Sequence, residues 1–209
     1  MTIKAILFDM DGVLIDATDW HYEALNEALE HFGYSISRDS HLSTFDGLPT
    51  SIKLEMLSES QNLPRSLHTL INKMKQKYTI IHSYTKCKPT FNHRQCLSQL
   101  KRDGYKIAVC SNSIKQSIET MLSLAGLRRY VDVIFSNQDV THSKPHPEMY
   151  LNAMSHFSLE PKECLIIEDS EHGIQAAKAS EAYCLEVSFP SDVTYDRLIQ
   201  KINSIGDES

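Results

Sequence analysis

Five short apolar runs punctuate the chain, at 4–8, 106–111, 133–136, 164–168 and 183–187, and helical patterns separate them. Runs of this length suit strands, and their almost unbroken apolar character is what a sheet covered on both faces requires. Strands that alternate with helices predict an α/β fold, a parallel sheet with helices on both faces. The interval between the first two runs breaks that rhythm. Trp20, Ala24, Leu25, Ala28, Leu29 and Phe32 recur at helix spacing, and Gly33 is placed to stop that helix. Further helical stretches are predicted at 52–57 and 67–81, and a helix over 93–102, ended by Gly104, leads back to the sheet. The expected organisation is a core domain of residues 1–16 and 85–209 with a helical cap domain, 17–84, inserted after the first strand.

In open parallel sheets ligands bind beyond the carboxyl ends of the strands. Polar residues stand at those ends here. Asp9 and Asp11, in Phe8-Asp9-Met10-Asp11-Gly12, are two apart on an extended chain and share a face. Two adjacent carboxylates repel and favour a cation between them; the same four-residue pattern also serves in calcium-type loops and strand-ending turns. Cys110-Ser111-Asn112-Ser113 precedes a predicted helix from Ile114, a place that suits a phosphate, although Ser and Asn are also ordinary helix caps. Pro145 and Pro147 stiffen the chain around Lys144, which is either a fixed charge for an anion or a solvated loop lysine. Glu168-Asp169-Ser170 ends the fourth run, where acids hold a hard cation or cap a helix.

Taken in order, these four motifs resemble the haloacid dehalogenase superfamily, and the resemblance spans nearly the whole chain. The segments that carry it are Phe8-Asp9-Met10-Asp11-Gly12-Val13-Leu14, Lys144-Pro145-His146-Pro147-Glu148 and Ile167-Glu168-Asp169-Ser170-Glu171-His172-Gly173-Ile174. The resemblance implies a Rossmann-like core. The insertion after the first motif matches the subgroup with a small helical cap, which includes phosphoglycolate-type and sugar-phosphate phosphatases and beta-phosphoglucomutase. It further implies that Asp9 attacks phosphorus and forms an aspartyl-phosphate, while Asp11 protonates the leaving oxygen and later takes a proton from water. Mg²⁺ would be held by the Asp9 carboxylate, the Asp11 main-chain carbonyl and the Asp169 carboxylate, with Glu168 in support. Ser111, the Asn112 amide and Lys144 would hold the phosphoryl oxygens. One departure stands out: the family usually has a glycine near Glu181, and this chain reads Ala179-Ser180-Glu181-Ala182.

Composition narrows the partners. The net charge of −6 argues against nucleic acid and anionic membranes, which need clustered Lys and Arg. Cys87, Cys96, Cys110, Cys164 and Cys184 form no paired motif and read as free thiols of a reducing cytosol. No signal-peptide pattern or membrane-length apolar stretch is present, so the expectation is a cytoplasmic monomer or weak dimer that acts on a small phosphorylated metabolite.

Asp11 argues against dehalogenation, which needs no acid two residues after the nucleophile. A phosphosugar mutase is the alternative enzyme, because His21 falls where beta-phosphoglucomutase has a hinge histidine. That reading is weakened in the cap loop Asp46-Gly47-Leu48-Pro49-Thr50, where Thr50 replaces a phosphate-binding arginine, and by Ala17, which replaces a hinge threonine. The mutase's cap lysine aligns near Ile80, while Lys73, Lys75, Lys77, Lys86 and Lys88 read as solvated surface. The segment from Phe45 to Leu57 resembles phosphatases associated with sugar-nucleotide metabolism, a hint toward a phosphosugar. A non-catalytic binding protein on the same fold is the third class, and no broken motif favours it.

Overall fold

A parallel sheet of five strands organises the protein: β1 (Ala5–Phe8), β2 (Lys106–Cys110), β3 (Val133–Phe135), β4 (Cys164–Glu168) and β5 (Tyr183–Glu186), in the order β3-β2-β1-β4-β5. The computed structural model describes residues 2–45 and 47–207. Asp46 of the cap loop therefore lies outside the described residues. The observed strands fall within the runs read from the apolar pattern.

The reason those runs are apolar throughout is visible in the packing. Successive side chains of a strand point to opposite faces. Ile6, Phe8, Ile107, Val109, Leu165 and Ile167 enter one buried layer, and Ala5, Leu7, Ala108, Cys110, Cys164 and Ile166 enter the other. Neither face is left to water, so no polar alternation remains.

Between β1 and β2 come α1 (Thr18–Glu30), the single turn α2 (Arg38–Ser40), a π-turn (His41–Phe45), α3 (Thr50–Gln61) and α4 (His68–Lys86). Their apolar faces close on one another. Leu25, Ala28, Leu29, Ile36, Phe45, Leu54, Leu57, Leu63 and Ile71 form a buried cluster that shares no member with the two sheet layers. Polar contacts tie α1 to α4 at one edge, where His82 Nε2 meets Glu27 Oε1 at 2.8 Å and Lys86 pairs with Glu23.

The remaining helices cover the sheet. From α5 (Phe91–Arg102), α6 (Lys115–Leu124) and α9 (Tyr195–Asp207) come Leu97, Leu100, Ile118, Met121 and Leu198 for the first layer. From α7 (Glu148–Phe157) and α8 (Glu171–Ala179) come Met149, Tyr150, Ala153, Ala176 and Ala177 for the second. All five cysteines are free thiols. Among the described residues no helix is long and apolar enough to cross a membrane.

The turn after α8 shows how the chain manages without the usual glycine. Glu181 itself takes the left-handed conformation, with φ of 63°, and donates its backbone N–H to the Lys178 carbonyl at 3.1 Å. A residue with a Cβ carries a steric cost of about 1–2 kcal/mol in that region. Because Glu181 is exposed, Glu181→Gly is expected to stabilise the protein by about 1 kcal/mol, less the entropy that glycine adds to the unfolded chain. Urea unfolding of the two proteins measures this, and a loss of stability would contradict the strain assigned to the turn.

Candidate active site

Parallel strands align their carboxyl ends, and the register fixes which residues meet there. Phe8 lies opposite Val109 on one side and Ile167 on the other. The next residue, Asp9, continues the ladder by donating its N–H to the Ile167 carbonyl at 3.0 Å. Ser111 follows β2, and Glu168 closes β4. The four motifs thus converge on one edge of the sheet.

Lys144 is the hub. It is only 3% exposed, and its Nζ donates to Asp9 Oδ1 at 2.6 Å, to Glu168 Oε1 at 2.6 Å and to the Cys110 carbonyl at 2.8 Å. The solvated-loop reading of this lysine is therefore wrong. Glu168, fully buried, also accepts the Tyr150 hydroxyl at 2.6 Å and its neighbour Asp169's N–H at 3.1 Å. Burial disfavours charge on Lys144, but Asp9 and Glu168 outweigh it and hold its pKa above the usual lysine range. Burial also raises the Asp9 carboxyl well above its usual range; Lys144 opposes this, while Glu168, Asp169 and Asp11 reinforce it. Lys144 rises because two carboxylates surround it, whereas Asp9 rises chiefly because it is buried. The cluster remains short of positive charge.

Two glycines make this crowding possible. Gly12 has φ of +91°, and a Cβ there would fall 1.9 Å from Asp169 Oδ2. A Cβ on Gly173 would fall 1.9 Å from Glu168 Oε1. Both acids occupy space that any larger residue would fill.

Asp11 is held separately. Its Oδ2 accepts the Ser113 hydroxyl at 2.9 Å and the Ser111 hydroxyl at 3.3 Å, and its Oδ1 lies 3.0 Å from His21 Nε2. Burial works against its charge, but His21, Ser113 and Lys75 prevail and keep its carboxyl below the usual range. On the far side of the imidazole, His21 Nδ1 lies 3.0 Å from Lys75 Nζ. When Lys75 is an ammonium it has only protons to give, so Nδ1 accepts from it and Nε2 faces Asp11 with the ring proton. His21, which could have been a purely structural residue of the first cap helix, thus joins the cap to the acid of the first motif.

Asn112 differs from the anion-binding expectation in its side chain. Its Nδ2 donates to the Gly47 carbonyl at 3.0 Å and to the Lys144 carbonyl at 3.4 Å, while its Oδ1 accepts the Lys144 N–H at 3.2 Å. The side chain is a clamp between the cap loop and the lysine loop. Helix α6 begins at Lys115, with Ile114 as its N-cap.

These residues line a cavity of about 130 Å³, room for a small metabolite and not for a polymer. The cap closes it with Thr50, Lys53 and Lys75. Here the reading of the cap lysines needs correction. Lys73, Lys77 and Lys88 are exposed as expected, but Lys75 lines the cavity and Lys53 is buried beside it. Thr50 and the Ile80 region are not cationic, yet the cap does present positive charge from other positions. Burial and then Lys53 depress the Lys75 ammonium to about 7, with Asp11 opposing. Lys75 retains some exposure to the cavity, so water tempers that depression without reversing it. The sequence does not single out Ser113, Tyr150 or Lys53 individually; Ser113 lies inside a motif, whereas Lys53 carries no signal beyond its place in the first turn of α3.

Asp9, Glu168 and Asp169 each offer a carboxylate oxygen, all within 4.8 Å of one another. An all-oxygen, carboxylate-rich donor set that lacks compensating positive charge fits a hard divalent cation such as Mg²⁺.

If the cap lysines are held against their own repulsion, removing one relieves the empty protein and weakens its grip on anions. Lys75→Met is expected to raise Tm by about 2–4 °C, equivalent to about 1 kcal/mol for a chain of this size. The same substitution should shrink the Tm gain that inorganic phosphate produces in the parent. Thermal unfolding with and without phosphate reads both effects; an unchanged phosphate response would remove Lys75 from the anion-binding surface.

Against a phosphorylated carbohydrates phosphatase of Thermotoga maritima the chain is 28% identical over 179 residues, 85% of this chain and 82% of the relative. Against hexitol phosphatase B of Escherichia coli it is 27% identical over 190 residues, 90% of this chain and 85% of that one. Among solved structures, a beta-phosphoglucomutase from Clostridium difficile superposes with a TM-score of 0.85 at 23% identity, covering 97% of this chain and 98% of that one, a likeness of fold. The sequence pattern of the haloacid dehalogenase-like hydrolases matches residues 6–187, and the chain belongs to that family.

Proposed function

We propose that this protein is a Mg²⁺-dependent phosphatase of a small phosphate monoester, a sugar phosphate in class, working through an aspartyl-phosphate on Asp9. The observation that carries the reading is the pairing of two differently held carboxylates in one capped cavity. Asp9 is locked by Lys144 at the sheet edge, while Asp11 is bound by Ser113 and by His21 of the cap. A nucleophile and an acid/base need different surroundings. Without a cation the shifts run against those roles, Asp9 raised and Asp11 lowered, and a divalent cation at the three carboxylates would favour the ionised form of Asp9. The names of the curated relatives, a carbohydrate phosphatase and a hexitol phosphatase, support the substrate class.

In this reading the Lys144 ammonium fixes one oxygen of Asp9, orients the carboxylate and offsets charge on the phosphoryl group. Ser111 and the Asn112 main-chain amide receive phosphoryl oxygens. Asp11 gives a proton to the leaving oxygen, and later accepts one from the attacking water. The Lys75–His21 pair offers Asp11 a route for that proton. Residues 17–84 act as the lid that excludes bulk water. The Asp9 and Asp169 carboxylates and the Asp11 carbonyl would hold Mg²⁺, steadied by Glu168. When bound, Mg²⁺ supplies the charge that lets a carboxylate approach a phosphate dianion.

Asp9→Asn removes the nucleophile without changing shape, so turnover of p-nitrophenyl phosphate should fall to background. Retention of more than a few per cent of activity, free of deamidation, would end the assignment of Asp9. Activity should also vanish in a chelator and return with Mg²⁺. A chain that binds phosphosugars but never turns over would instead be the binding-protein class.

The phosphosugar mutase remains a second reading, favoured by one observation. A mutase intermediate carries two phosphates, and the second needs a cationic seat. Lys53 and Lys75 lie in the cavity to provide one, so the missing arginine at Thr50 does not decide the matter. The phosphatase reading predicts that beta-glucose 1-phosphate, supplied with a trace of the 1,6-bisphosphate, yields mainly free phosphate. Dominant glucose 6-phosphate would reverse the order of the two readings, with the roles of Asp9, Asp11 and Lys144 unchanged.

A further inference from the structure

A second group of metal-capable side chains lies outside this cavity, on the loop that delivers Lys144 and the first turn of α7. His142, His146 and Glu148 each offer a donor atom within 4.8 Å of the others. The two imidazole rings stand 4.8 Å apart between centroids and tilt by 39°. Glu148 Oε2 lies 3.0 Å from His142 Nδ1 and 3.9 Å from His146 Nδ1. The carboxylate is fixed from behind: the backbone N–H of Thr141 donates to Oε1 at 2.7 Å, and that of His142 to Oε2 at 2.9 Å. Those backbone bonds, with His142 adding to them, keep the Glu148 carboxyl below its usual range, so it presents a settled negative charge.

We propose that His142, His146 and Glu148 form a second divalent-metal site, selective for a borderline transition ion such as Zn²⁺ and chemically distinct from the all-carboxylate site. Two imidazoles and one carboxylate are a donor set that suits Zn²⁺, Co²⁺ or Ni²⁺ and that Mg²⁺ avoids. The ion takes the place of the proton between His142 Nδ1 and Glu148 Oε2. His146 Nδ1 exchanges a weak contact for the metal, because the Glu148 N–H that it now accepts lies at 3.2 Å. That N–H belongs to the first residue of the helix and can pass to water. Both imidazoles are exposed, so small rotations of the side chains suffice to close the ligand set. Water fills the remaining position, and the adjoining groove, lined also by Pro49 and Ile52 of the cap, leaves room for it.

The place of the site gives it a consequence. His142 and His146 stand two residues to either side of Lys144, so one ion ties both arms of the lysine loop to the start of α7. Occupancy therefore stiffens the segment that positions Lys144.

The test uses tag-free, full-length protein stripped with a chelator and then held in excess Mg²⁺. Titration with Co²⁺ should produce a visible absorption band, and Zn²⁺ should abolish it at one ion per chain. His142→Ala and His146→Ala change exposed side chains only, so the variants should fold; each should weaken Zn²⁺ binding by about tenfold or more. The parent, but not these variants, should gain thermal stability with Zn²⁺. Asp169→Asn should leave the Co²⁺ band in place. No band in the parent, a band that survives the double histidine substitution, or a band lost only in Asp169→Asn would each overturn the proposal.

Discussion

Most of the active-site architecture depends on a charge that has nowhere else to go. Lys144 sits where water barely reaches it, and an ammonium there is tolerated only because Asp9, Glu168 and a carbonyl surround it. Removing one partner of such a buried cluster leaves an uncompensated charge and costs about 3–5 kcal/mol. The rest of the edge is arranged around that constraint. Asn112 holds the lysine loop at both its N–H and its carbonyl, Tyr150 secures Glu168 from below, and Gly12 and Gly173 yield the space in which Asp169 and Glu168 stand. The charges of the candidate site and the stability of this edge are built from the same atoms, so the site cannot be rearranged piecemeal.

Much of this is legible in the amino-acid sequence. Strands buried on both faces must be apolar at every position, and that made the five runs easy to find and their ends easy to mark. The functional acids then fell at strand ends because parallel register leaves them no other place. The failures share a cause. Lys75 lies on α4, where one stretch of helix turns Ile71 and Met74 toward the cap's own core, Lys73 and Lys77 toward water, and Lys75 toward the cavity. Helical periodicity separates apolar from polar faces, but it does not tell a polar face that meets water from one that meets a second domain. Lys53 was missed for the same reason.

Glu181 illustrates the opposite limit. The sequence showed where glycine was missing, and steric reasoning placed doubt on that turn. It could not say whether the chain would change the turn or force a residue with a side chain into it. The backbone kept the turn, and the packing of α8 against β4 and β5 provides the reason: both elements flank Glu168 and fix the path between them. Local preference gave way to the demands of the sheet edge.

The helical insertion has a core of its own, with no apolar member in common with the layers that cover the sheet. It meets the sheet edge through polar contacts, His21 on Asp11 and the Gly47 carbonyl on Asn112, and through Trp20 of α1, which packs against the first sheet layer. The apolar residues that fold most of the insertion are thus distinct from those that cover the sheet. Substitutions on the cavity side of the insertion change what lines the cavity while the apolar residues that fold it, and the charged cluster at the sheet edge, stay as they are. Chains built this way can vary the wall of the cavity without rebuilding its floor.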